Sequence, residues 1–249
     1  MKRFLLFLLT VTTLAAYTQP TSLVTVNTVK PKLGQKMAFE AAFKIHIGKF
    51  HKIDQKLSVW EVVSGDYNGY YHLVNAGRTY ADLDKDRPDA TAHSLDLDKT
   101  FFPLLEETRN GTFRFMDSLS VHTDIVADKA LVNLRHVKLS LEGDYRQELA
   151  RAIKVIKNLK GKFWENLSLN VFEQLWDGTD PVVVSIRNLK DGFQSLETDF
   201  YGATGTSFMD EYVKQFGTAA WDKRIKLLDE AIVKNEQYIM KLRKDLSSQ

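Results

Sequence analysis

Apolar side chains recur along this chain with two periods, and the change from one to the other marks out its elements. Ser22 to Lys30 is rich in β-branched residues and reads as a strand ended by Pro31. From Gly34 and Gln35 to about His51 the apolar positions Phe39, Phe43, His46 and Phe50 are spaced four, three and four apart, the stripe of a helix lying on a core. Leu57 to Val63 and Tyr70 to Asn75 return to strand character on either side of a turn-rich Ser64 to Gly69. Thr79 to His93 reads as a polar connection, and Leu97 to Ser120 as one or two helical segments broken near Asn110-Gly111. The order then repeats: a strand at Leu134 to Leu141, a helix from Asp144 to Phe163, and strands at Leu167 to Trp176 and Val182 to Leu189 around Asp177-Gly178. A last helix is predicted from Thr218 to Leu246, with Trp221, Ile225, Leu228, Ile232, Ile239, Leu242 and Leu246 at near-heptad spacing.

The repeated order has a residue-level counterpart. Gly48-Lys49-Phe50 recurs as Gly161-Lys162-Phe163, and Val59-Trp60-Glu61 as Val171-Phe172-Glu173, at displacements of 113 and 112 residues. Two tandem ferredoxin-like β-α-β-β-α repeats, residues 19–130 and 131–249, are therefore expected. The class is α+β, the two sheets packing as a sandwich or closing into a barrel, with a long C-terminal helix. This element order and duplication resembles the dimeric α+β barrel superfamily, in the duplicated form of the NIPSNAP-like, EthD-like and antibiotic-biosynthesis-monooxygenase-like proteins. The chain is expected to be a secreted bacterial member of unknown function; the family includes haem and dye oxidases, cofactor-free monooxygenases and proteins of no known activity. One oxidase relative carries a Gly-x-x-Asp-Gly haem-site signature, from which Asn188-Leu189-Lys190-Asp191-Gly192 departs by lacking the first glycine.

Lys2 and Arg3 followed by the apolar run Phe4 to Leu9 and small residues to Thr18 read as a secretory signal peptide, residues 1–18, cleaved between Ala15 and Thr18. A secreted or periplasmic location follows. No later stretch is apolar over the roughly 20 residues a membrane span needs, so the processed chain is not expected to be an integral membrane protein. Without cysteine the chain has neither disulfides nor thiol chemistry. Removing Lys2 and Arg3 leaves 32 basic against 32 acidic side chains, a balance without the basic surface that nucleic-acid binding uses.

Among titratable residues His46 stands out, because it lies on an apolar helical stripe where the second repeat places Leu159. Strand parity puts Tyr71, Leu73 and Asn75 on one face and His72 and Val74 on the other. With Ser185 aligned to His72, the row Val182, Val184, Ile186 and Asn188 matches the Leu73 face. If that row meets the helices, His46 faces Tyr71 and Asn75, the predicted ligand-binding set, and His72 looks into the space between the sheets. Any polar pocket between helix and sheet then belongs to the first repeat. No metal site is expected: His46 and His51, five apart, are turned about 140° on a helix, and His93, His122 and His136 show no ligand spacing. No cofactor motif, nucleophile elbow or P-loop is present. The terminal helix, about 43 Å long at about 1.5 Å per residue, packs across the molecule or pairs two subunits as a homodimer. Two functional readings result: a secreted barrel protein binding a small apolar or aromatic ligand or a partner chain, and a cofactor-free monooxygenase or isomerase using His46, Tyr71 and Asn75.

Overall fold

The computed structural model describes residues 22–51, 56–124, 126–160, 162–175, 180–196 and 207–248. The expected signal peptide and the Asp177-Gly178 turn lie outside them. Strand β1 (Leu23–Pro31) leads through a turn at Gly34, whose φ of 77° suits a residue without Cβ, into α1 (Lys36–Phe50). Phe39, Phe43, His46, Ile47 and Phe50 form its buried stripe. A hairpin of β2 (Ser58–Gly65) and β3 (Tyr71–Arg78) follows, as its alternating pattern predicts. The polar connection is more ordered than expected. It contains α2 (Tyr80–Leu83), started by a Thr79–Asp82 capping box, and α3 (Ala90–Asp96), which runs on through a π turn at Leu97–Phe101.

Residues expected to be helical then form strand β4 (Leu105–Phe115). The second half supplies β5 (Lys129–Val137), α4 (Glu142–Asn158), the short α5 (Lys162–Glu165), β6 (Ser168–Leu175), β7 (Val182–Asn188), α6 (Phe208–Phe216) and α7 (Thr218–Ala231). Its first strand thus begins before the expected Leu134, and its first helix ends before Phe163. The long terminal helix stops at Ala231, and residues 232–242 form strand β8 (Ile232–Leu242).

Both corrections have one cause. Strands β4 and β8 are the fourth strands of the two halves, and each bonds on both sides: β4 to β1 and β6, β8 to β2 and β5. That pairing closes an antiparallel barrel in the order β1-β3-β2-β8-β5-β7-β6-β4, so the architecture is α+β with helices outside an eight-stranded barrel. Closure satisfies strand edges that would otherwise stand open. In β8 the buried residues Glu236, Tyr238 and Met240 alternate with exposed Gln237 and Lys241, a period of two that overrides the heptad-like spacing of Ile232, Ile239 and Leu242. Dimerisation through a terminal helix loses its surface accordingly. Leu246 is buried with α1 residues of the first half, and Ile232 packs in the helical layer of the second.

Three apolar clusters result. Phe39, Phe43, Tyr71, Leu73 and Phe101 fill the space between α1 and the barrel wall; Tyr145, Ile153, Val171, Val183 and Tyr212 do the same for the second half. The third, including Val62, Val132, Val184 and Tyr238, lies inside the barrel. Sheet register corrects the expected alignment of the halves. His72 pairs with Trp60 and Thr28, as Val184 pairs with Phe172 and Leu134. The counterpart of His72 is therefore Val184, not Ser185, and the Val184, Ile186 and Asn188 row faces the barrel interior instead of the helices.

Candidate functional site

Alternate residues of the eight strands point inward and line a cavity of about 580 Å3. Its wall is mainly apolar: Val24 and Val26 from β1, Trp60 from β2, Val74 from β3, Phe113 from β4, Val132 and Leu134 from β5, Phe172 from β6, Ile186 from β7 and Met240 from β8. This volume falls within the range of small-molecule sites. Polar groups are few and grouped. His72 accepts or donates a bond at Nδ1 with Thr28 Oγ1, 2.8 Å away, while its buried Nε2 has no partner among the described residues. The Tyr238 ring lies 5.4 Å from the His72 ring, and Tyr67, 5.3 Å from Tyr238, donates to Glu236 Oε1 at 2.9 Å. His136 Nε2 stands 3.5 Å from Glu236 Oε2, and Lys234 bonds the same carboxylate at 2.6 Å.

Burial sets the protonation of this group. It lowers the His72 pKa to about 4, so the ring is neutral at pH 7, and it raises the Tyr67 hydroxyl to about 12 with help from Glu236. For Glu236 burial works upward, but the bonds from Lys234 and Tyr67 win and the carboxyl is held below its ordinary value.

The predicted set of His46, Tyr71 and Asn75 is not brought together. Tyr71 lies on the outer face of β3, its ring against Phe39 and its hydroxyl donating to Glu40 Oε1 at 2.5 Å. Arg243 holds that carboxylate from the other side and also bonds Glu61. Asn75 sits on β3 opposite Thr25 of β1. His46 instead turns toward α3. Its Nδ1 is 2.9 Å from Asp96 Oδ2, and its Nε2 lies 3.1 Å from His93 Nε2 and 3.3 Å from His51 Nε2. The remaining His93–His51 separation is 3.2 Å.

The expectation that His46 and His51 diverge by 140° fails because α1 ends at Phe50. His51, at φ −115° and ψ 67°, is no longer helical, and its ring swings back over the last turn. His93 comes from a segment expected to be a solvated connector, so no local spacing in the sequence could have announced it. Burial lowers the pKa of His46, against the opposing effect of Asp96, and lowers that of His93 to about 4, with Arg87 and His46 adding to it. Lys49 and His46 together hold Asp96 below its ordinary value. The space under α1 is filled by aromatic rings, while a smaller cavity of about 100 Å3 lies beneath α4, between Tyr145, Leu149, Arg135 and Arg224. The expected helix-to-sheet pocket of the first repeat is thus replaced by one in the second half.

No protein-family model and no functionally curated protein matches the chain. Solved structures do match in fold. A protein named "putative monooxygenase" from Fusobacterium nucleatum is 8% identical, with a TM-score of 0.53 over 91% of this chain and 94% of its own. An anthrone oxidase-like protein is 12% identical, with a TM-score of 0.51 over 90% of this chain and 92% of its own. At such identities the likeness shows the shared α+β barrel fold that the sequence resemblance implies, and leaves the chemistry to the residues of each chain.

Proposed function

We propose that this chain is a secreted binding protein that holds a small apolar or aromatic molecule inside the barrel, with one polar group of the ligand meeting His72. The carrying observation is the mainly apolar cavity inside the barrel, lined in part by His72, whose buried imidazole Nε2 has no partner among the described residues. A buried nitrogen without a partner costs free energy that a ligand donor or acceptor would recover. The signal-like residues 1–18 support export. Binding is favoured over the monooxygenase or isomerase reading because His46, Tyr71 and Asn75, the residues that reading used, are turned to different partners and do not converge on one site.

The test is a titration with an uncharged aromatic fluorophore, N-phenyl-1-naphthylamine, followed by its emission and by quenching of tryptophan fluorescence. Saturable binding of one probe per chain is expected. Val74→Phe, which puts a ring into the cavity, should weaken it at least about tenfold, or roughly 1.4 kcal/mol, with the melting temperature maintained. Absence of saturable binding, or equal affinity in the filled variant, would refute the reading. A visible absorption band in the purified protein would replace it with an oxidative one.

A further inference from the structure

We infer that His46, His51 and His93 form a binding site for one divalent transition-metal ion, zinc foremost, outside the barrel and independent of its cavity. The three Nε2 atoms are 3.1, 3.2 and 3.3 Å apart, a nearly equilateral triangle. Zinc bound at about 2.0–2.1 Å by tetrahedral imidazoles places their nitrogens roughly 3.3–3.4 Å apart. An ion at about that bond length from all three atoms would stand roughly 0.9 Å out of their plane. That is a pyramidal arrangement, with the fourth position on the far side of the ion left to water or another ligand.

Hydrogen bonding among the rings cannot account for the triangle. The contact of His46 Nδ1 with the Asp96 carboxylate makes that nitrogen the donor, which leaves a lone pair at Nε2 of the neutral ring. If His51 and His93 both carry a proton on Nε2, two N–H groups face each other. If only one does, the other meets His46 lone pair to lone pair. One edge is mismatched in either case, whereas a cation accepts all three lone pairs at once.

The surroundings point the same way. Asp96 orients His46 as an outer carboxylate orients a metal-bound histidine, and Lys49 in turn fixes Asp96 at 2.8 Å. The site lies at the C-terminal end of α1, where the helix dipole favours positive charge. The Phe50 ring packs against His46 at 5.0 Å and His93 at 5.3 Å, holding both imidazoles in place. His46 is buried and the other two rings are half-buried, so the ion is reached from the surface.

The experiment uses the chain without a histidine tag, stripped by a chelator and titrated with Zn2+ against a competing indicator, and separately with Co2+. One zinc per chain is expected, together with the intense visible absorption of tetrahedral cobalt. His93→Ala and His51→Ala should each lower zinc affinity at least about a hundredfold, and Asp96→Asn, acting through His46, about 10–100-fold. His122→Ala should leave it unchanged. Circular dichroism of each metal-free variant checks folding, and His93→Gln replaces any alanine variant that fails that check. Absence of zinc uptake, or the same affinity in wild type and in the folded His93 and His51 variants, would overturn the inference. Retained cavity binding of the naphthylamine probe in the His93 variant would show that the two sites stand or fall separately.

Discussion

His72 shows how one side chain can connect packing with pH. It is buried inside the barrel between Thr28, Tyr67 and Tyr238, and its pKa is lowered to about 4 from an ordinary value of 6.5. As pH falls, the unfolded chain takes up the proton first, so the stabilisation is complete above about pH 6.5 and is lost progressively toward pH 4. The difference between the two pKa values corresponds to about 3 kcal/mol. Other buried groups titrate in the same sense, so the contribution of His72 is the difference between wild type and His72→Phe. Urea denaturation from pH 7 to pH 4 should show the wild type losing about 3 kcal/mol more than the variant. Parallel pH profiles would refute this account.

At the scale of elements, the β2–β3 hairpin contains two glycines with nearly the same φ and different surroundings. Gly65 (φ 87°) lies beside β8, where an added Cβ would meet Gln237 O at 2.3 Å and Tyr238 Cα at 2.8 Å. Gly69 (φ 85°) has nothing within 4 Å of that position. Gly69→Ala should therefore cost only the conformational penalty, about 1–2 kcal/mol. Gly65→Ala adds a backbone clash across the β2–β8 seam and should cost at least about 3 kcal/mol. Chemical denaturation of the two variants separates the terms; equal losses would mean that the seam yields without cost. The close approach also explains the requirement for glycine at a place where composition alone indicates only a loop.

Over the whole molecule, β4 and β8 do more than add strands. Each is the seam by which one half is hydrogen-bonded to the other, and β8 leads into a tail that binds the first half. Arg243 reaches Glu40 and Glu61, the Ser247 hydroxyl accepts from the Val59 amide, and Leu246 enters the α1 cluster. Truncation after Lys234 should open the edges of β2 and β5 together, lower the melting temperature by at least about 10 °C, and expose edges that aggregate. Calorimetry with sedimentation checks this. A truncated monomer that melts like the full chain would show that the barrel does not depend on closure.

Local pattern alone determined α1 from its phenylalanine stripe, the β2–β3 hairpin from its turn residues, the parity that puts His72 and Tyr71 on opposite faces of β3, and the α+β class; which of those faces is the inner one was decided by the sheet register. In each case the informative contacts are made by residues close in sequence, so periodicity records them. The fourth strands escaped because their pairing energy comes from β1, β2, β5 and β6, remote in the chain. Polar β4 carries no apolar stripe, and the aliphatic spacing of β8 suits a helix until neighbouring edges claim its backbone. His46 was legible as an unusual residue on a buried stripe, but its partners were not. His51 reaches it only because α1 stops one residue earlier, and His93 and Asp96 arrive across 47 and 50 residues of chain. Such convergence is a property of tertiary packing: side chains with no common spacing share a point in space because the aromatic layer under α1 fixes the helices that carry them.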